Sequence, residues 1–178
     1  MKINSLFTIT LFVLTLFLCS FEIPKNLQKK VAKEIKATYA IENYTLTNVS
    51  VNSTLNNTLP IKVNNDNFYK VMASNKVLGY VFLDKAPSKT AEFDYLVLLD
   101  ATGTIKKSNV LIYREEYGGE IGSTRWLRQF IGKSTNDNLE YKNNIDAISG
   151  ATISVRSMIN ATNDVLKTVK ILKENKVI

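Results

Sequence analysis

The segment Asp146-Ala147-Ile148-Ser149-Gly150-Ala151-Thr152-Ile153-Ser154 gathers the hydroxyls of Ser149, Thr152 and Ser154 around a glycine, just before a long apolar-periodic stretch. If that stretch is a helix, its first backbone N–H groups have no intrahelical acceptor, and its dipole adds about half a positive charge at this end. A hydroxyl placed there either caps the helix or sits where a phosphate is held well. Gly150 admits backbone conformations that side chains resist, so the turn into the helix can be sharp. Residue types alone leave the cap and the phosphate site as alternatives.

Other chemistries are removed by composition. The chain has no histidine, and with it go the usual general base near neutral pH, the commonest zinc ligand and the usual haem ligand. Its single cysteine, Cys19, lies inside an apolar N-terminal run, so the chain beyond it holds no disulfide, CxxC pair or thiolate cluster. Redox chemistry must therefore come from a bound organic cofactor, and no metal site is expected. Glu115, Glu116 and Glu120 resemble an acid/base set, but a solvated turn beside Arg114 and Arg125 accounts for them equally, and no catalytic residue is assigned.

The elements that must position the hydroxyl turn follow from periodicity. Ile153, Met158, Ala161, Val165, Val169 and Leu172 put one apolar face on a helix over Thr152 to Leu172. A second amphipathic helix is expected from Pro24 to Tyr39, where Leu27, Val31, Ile35 and Tyr39 recur at spacing four. Strands are expected over Phe68–Ala73, Val77–Leu83, Tyr95–Asp100 and Ile105–Arg114, the last two joined by a hairpin turn at Ala101-Thr102-Gly103. Residues 43–58 read as one strand followed by a loop around Asn56-Asn57, and Ser123–Ile131 as a helix stopped by Gly132. Strands followed by helices, without regular βαβ alternation, predict an α+β fold: a mostly antiparallel or mixed sheet packed by amphipathic helices.

With 178 residues, 45% hydrophobic and 22% charged, the chain suits one globular domain, expected over residues 22–178. Its net charge of +7 is compatible with anionic lipid, nucleic acid or an anionic cofactor. The lysines are scattered and no nucleic-acid motif is present, so no nucleic-acid partner is expected. Residues 5–21, SLFTITLFVLTLFLCSF, form an uncharged apolar run behind Lys2, expected to be a cleaved export signal, a retained membrane anchor or a lipoprotein leader ending at Cys19. Each option places the remainder outside the cytoplasm, in the periplasm or membrane-anchored in the cell envelope.

The pattern Asp146-x-x-Ser149-Gly150-Ala151-Thr152-x-Ser154 resembles the flavinylation motif of the FMN-binding domain family, as in the C subunit of the sodium-translocating NADH:quinone reductase and the G subunit of the Rnf complex. In that family the last threonine of the element is esterified to the phosphate of FMN by a flavin transferase. The resemblance therefore implies covalent FMN on Thr152, with Asp146, Ser149, Gly150 and Ala151 forming the transferase recognition loop and Ser154 filling the following hydroxyl position. Upstream, Glu116-Tyr117-Gly118-Gly119-Glu120-Ile121 is similar to the glycine-bearing element that follows a strand in family members, differing at Tyr117, Gly118, Glu120 and Ile121. Beyond it stand Trp126 and Phe130 as aromatic anchors. Tyr113, Tyr117 and Trp126 are candidates for an apolar wall beside the isoalloxazine, and Gly118 and Gly119 for close backbone approach. For Trp126 a core anchor is the alternative.

The resemblance covers about residues 77–172 and is closest in character to small exported members. It implies an electron carrier, with a membrane or envelope donor and acceptor, rather than a turnover enzyme. Two other functions stay open: a binding or interaction protein of the same fold with loose flavin or none, and a flavin-dependent reductase of a small envelope substrate.

Overall fold

The computed structural model describes residues 23–178. The expected signal or anchor over residues 1–21, with Cys19, lies outside the described residues.

The chain after Pro24 forms helix α1, Lys25–Tyr39. Leu27, Val31 and Ile35 are its buried positions, a stripe at spacing four as anticipated. Pro24 supplies its carbonyl to the N–H groups of Leu27 (2.7 Å) and Gln28 (3.2 Å) at the helix start. At the other end Ala40 takes a left-handed conformation (φ 53°), and Ile41 N–H closes onto Lys36 O at 3.2 Å.

Five strands follow: β1 Thr45–Asn48, β2 Phe68–Ala73, β3 Lys76–Pro87, β4 Glu92–Asp100 and β5 Ile105–Ile112. They pair in chain order, every neighbour antiparallel, so the sheet is a meander. The α+β class holds, and of the two sheet types anticipated the antiparallel one is found. β1 and β2 are strands of this same sheet. In β4 the run from Phe93 to Leu99 is buried throughout rather than alternating, because both faces of the sheet are covered. Tyr69, Val71, Val81, Leu83, Leu96 and Leu98 face α1. Phe68, Phe82, Tyr95, Val97 and Leu99 face the opposite core, with Val155, Met158, Val165, Val169 and Leu172.

These last residues belong to the C-terminal helix, Thr152–Glu174. Between it and the sheet lie a 3₁₀ turn at Gly119–Gly122, a short helix at Thr124–Leu127 and another 3₁₀ turn at Arg128–Phe130. The single helix expected over Ser123–Ile131 is thus split into an α turn and a 3₁₀ turn. In chain order α2 is Ser53–Asn56, α3 is Thr124–Leu127 and α4 is Thr152–Glu174. α2 stands where a loop was expected. Asn52 caps it, its Oδ1 accepting from Leu55 N–H at 2.9 Å, which is the role asparagine favours at a helix start.

Gly79 lies against β4 so closely that a Cβ there would sit 2.0 Å from Leu99 O and 2.6 Å from the Tyr39 hydroxyl, which donates to that carbonyl at 2.6 Å. Gly79→Ala is expected to lower the unfolding free energy by about 1–3 kcal/mol, seen as a lower urea midpoint.

Strands β3 and β4 run longer than expected because Glu115 closes the turn beyond them, accepting from Ser88 Oγ (2.6 Å), Thr90 N–H (2.6 Å) and Ala91 N–H (3.2 Å). Arg114 leaves the end of β5 to pair with Asp94 and to donate to Glu92 O, so β5 stops at Ile112 rather than at Arg114. The Ser88 hydroxyl, followed by the Thr90 N–H, holds the Glu115 carboxyl below its ordinary value of 4.5. A carboxyl depressed on folding adds stability above its unfolded pKa, and that increment is lost as pH falls through the folded value. The stability difference between the native chain and Glu115→Gln should therefore shrink steadily below pH 4.5 in acid titrations followed by circular dichroism.

Candidate functional site

Helix α4 begins without a side-chain cap. Its N-cap residue is Ala151 (φ −120°, ψ 22°), and the first turn carries no acid. Of the two alternatives for the hydroxyl turn, the ordinary cap is therefore not the one adopted: neither Ser149 nor Thr152 closes the terminus. Its first N–H groups and the positive end of its dipole are left available to an anion. Thr152 is exposed at this point, as are Asp146, Ser149 and Gly150. Gly150 has φ 78°, the left-handed region that favours glycine, and no neighbour crowds it within 4 Å.

The loop is fixed from both sides. On one side, the Trp126 indole N–H donates to Asp146 O at 2.8 Å, and Asp146 N–H donates to Gln129 Oε1 at 2.8 Å. Trp126 itself is only 4% exposed and meets Phe130 edge to face, ring centres 5.1 Å apart, so it is a core anchor that also clamps the loop. On the other side, Ala151 is buried against Gly118, whose φ is 84°. A Cβ on Gly118 would lie 2.9 Å from the Tyr113 hydroxyl and 3.0 Å from Ala151 Cβ. The Tyr113 hydroxyl donates to Tyr117 O at 3.0 Å and accepts from Ser154 Oγ at 3.0 Å, tying the end of β5, the glycine turn and α4 together. Ser154 is thus buried in a structural bond rather than presented to solvent beside Thr152.

Between the α3 region and the loop lies a cleft of about 500 Å³, lined by Glu120, Ser123, Arg125, Trp126, Gln129, Asp146, Ala147, Ile148 and Ser149. That volume falls within the range of small-molecule sites. Asp146, Ser149 and Trp126 meet in its wall, whereas Thr152, Gly150, Ala151, Ser154, Glu116, Tyr117, Gly118 and Gly119 are outside it. Tyr117 is 76% exposed, and Glu116 and Gly119 also face solvent. Ser123, Arg125, Gln129, Ala147 and Ile148 were not foreseen as lining residues. Only Ser123 carried a signal, since a serine before an apolar pair marks a helix start, and its Oγ indeed accepts from Trp126 N–H at 3.4 Å.

Residues 89–167 match the family model described as the FMN-binding domain. That span runs from the β3–β4 turn into α4 and takes in Gly118, Trp126 and Thr152. Among solved structures, the crystal structure of Shewanella oneidensis NqrC matches with a TM-score of 0.59 at 16% identity, covering 87% of this chain and 100% of that one. At that identity the likeness is one of fold. No curated protein sequence matches the chain.

Proposed function

We propose, from the match of residues 89–167 to the FMN-binding domain model, that this chain is an electron-transfer flavoprotein of the cell envelope, with FMN joined through its phosphate to Thr152. The observation that carries this is the exposed Thr152 hydroxyl at a helix terminus that no side chain caps and no acid neutralises. A phosphodiester there keeps one negative charge, which the free N–H groups and helix dipole favour. Arg125 at the cleft and Arg156 in the second turn of α4 add positive charge nearby.

The residues fit the cofactor. Thr152 and the first-turn N–H groups would hold the phosphate from outside the cleft, and the cleft wall would offer Trp126, Ile148 and Arg125 to the ring beside the carboxylates of Glu120 and Asp146. When bound, the flavin supplies an acceptor and donor of one or two electrons. The protein's own part is placement: Trp126 and Gln129 hold Asp146, while Tyr113 and Gly118 seat Ala151. Because Asp146, Ser149, Gly150 and Thr152 are all exposed, the loop is open to a flavin transferase as modifying partner. An ester bond also suits a location outside the cytoplasm, expected from residues 5–21, where a dissociable flavin would be lost by dilution.

The test of function is a stopped-flow comparison of the chain coexpressed with a flavin transferase. A carrier is reduced and reoxidised by generic small donors and acceptors with rates linear in their concentration. Saturation by one particular small substrate would favour the reductase, and absence of any flavin after coexpression would favour the binding protein.

A further inference from the structure

Helix α1 divides its charges unequally. Its one acid, Glu34, turns toward the sheet, where its Oε1 accepts from Asn109 Nδ2 at 2.9 Å and its Oε2 lies 3.6 Å from Lys107 Nζ. Lys30 donates to Leu111 O at 2.6 Å, and Lys36 pairs with Glu42 at 2.7 Å. Lys25, Lys29 and Lys33 remain. They recur at spacing four, all are exposed, and among the described residues none has a hydrogen-bond or ion-pair partner. The opposite stripe of the helix, Leu27, Val31 and Ile35, is packed on the sheet, so the direction in which these lysines face is set by the core. In the sequence, the uncharged apolar run of residues 5–21 ends just before this stripe.

We propose that the Lys25–Lys29–Lys33 face of α1 is a docking surface for a bilayer containing anionic lipid. A basic stripe alone would suit any polyanion; the apolar run immediately ahead of it selects a membrane. Juxtamembrane lysines gain from an anionic surface over a distance set by salt, about 10 Å at 0.1 M. The consequence concerns orientation. α1 and α4 pack on opposite faces of the sheet, so a body resting on α1 carries Thr152 on the side of the sheet away from the lipid.

The full-length chain, mixed with vesicles of phosphatidylcholine alone or with added phosphatidylglycerol, can be labelled by a membrane-impermeant amine-acylating reagent and read lysine by lysine by mass spectrometry. The neutral vesicles control for attachment through the apolar run. Labelling of Lys25, Lys29 and Lys33 is expected to fall about fivefold on the anionic vesicles, each contact leaving its amine free about one time in five. It should return in 1 M salt, where screening shortens to about 3 Å. Exposed Lys167 and Lys170 on α4 should label equally in both. Equal labelling of the α1 lysines on both vesicles, or protection of Lys167 and Lys170 to the same degree, would overturn the proposal.

Discussion

Thr152→Ala, coexpressed with a flavin transferase, is expected to carry no covalent flavin and to show no fluorescent band in a denaturing gel, while unfolding at the same urea concentration as the parent chain. Both halves follow from the geometry. Thr152 offers the exposed hydroxyl of the motif, and Ser154 is withdrawn into its bond with Tyr113. Because Thr152 does not cap α4, its loss removes no hydrogen bond from the helix start. An exposed substitution of this kind changes stability by about 0.5 kcal/mol or less. Thr152→Ser keeps the nucleophilic oxygen and is expected to keep part of the modification. Equal flavin on Thr152→Ala and the parent would move the attachment to another hydroxyl.

The second large effect is expected at Gly118. Its φ of 84° lies where a β-branched residue is strained, and a Cβ would press on the Tyr113 hydroxyl at 2.9 Å and on Ala151 Cβ at 3.0 Å. Strain of this kind costs about 1–3 kcal/mol. Gly118→Val should therefore unfold earlier in urea and, because the displaced neighbour is Ala151, should also be a poor substrate for the transferase. Gly119→Ala is the control. Its nearest neighbour, Tyr113 Cδ1, is 4.0 Å away and its φ is not left-handed, so stability and modification should both be close to those of the parent.

What could be read from residues and what could not divides along the range of the interactions. Phe68–Ala73 and the start of α4 at Thr152 were placed correctly because local signals decide them: turn residues beside the strand, and apolar periodicity behind a glycine. α1 was legible because three buried residues at spacing four lie on one face. The end of β5 was missed, since what turns Arg114 away is Asp94, twenty residues earlier in the chain. The α2 helix was missed because an asparagine-rich stretch reads as loop, although the same side chain is a good N-cap. At the site, the motif singled out Thr152, which stands exposed at the start of α4, but the clamp of Trp126 and Gln129 on Asp146 is made by hydrogen bonds between distant segments and leaves no local mark. The same applies to Ser154, whose hydroxyl belongs by position to the motif and by geometry to Tyr113.

The most direct measurement is tandem mass spectrometry of the tryptic peptide Asn143–Arg156 from chain coexpressed with a flavin transferase, since that peptide contains Ser149, Thr152 and Ser154 together. The expected result is an added mass of one FMN less water, with the fragment ions placing it on Thr152. An unmodified peptide, under conditions in which the transferase labels a known acceptor, or the same mass on Ser149 or Ser154, would contradict the account.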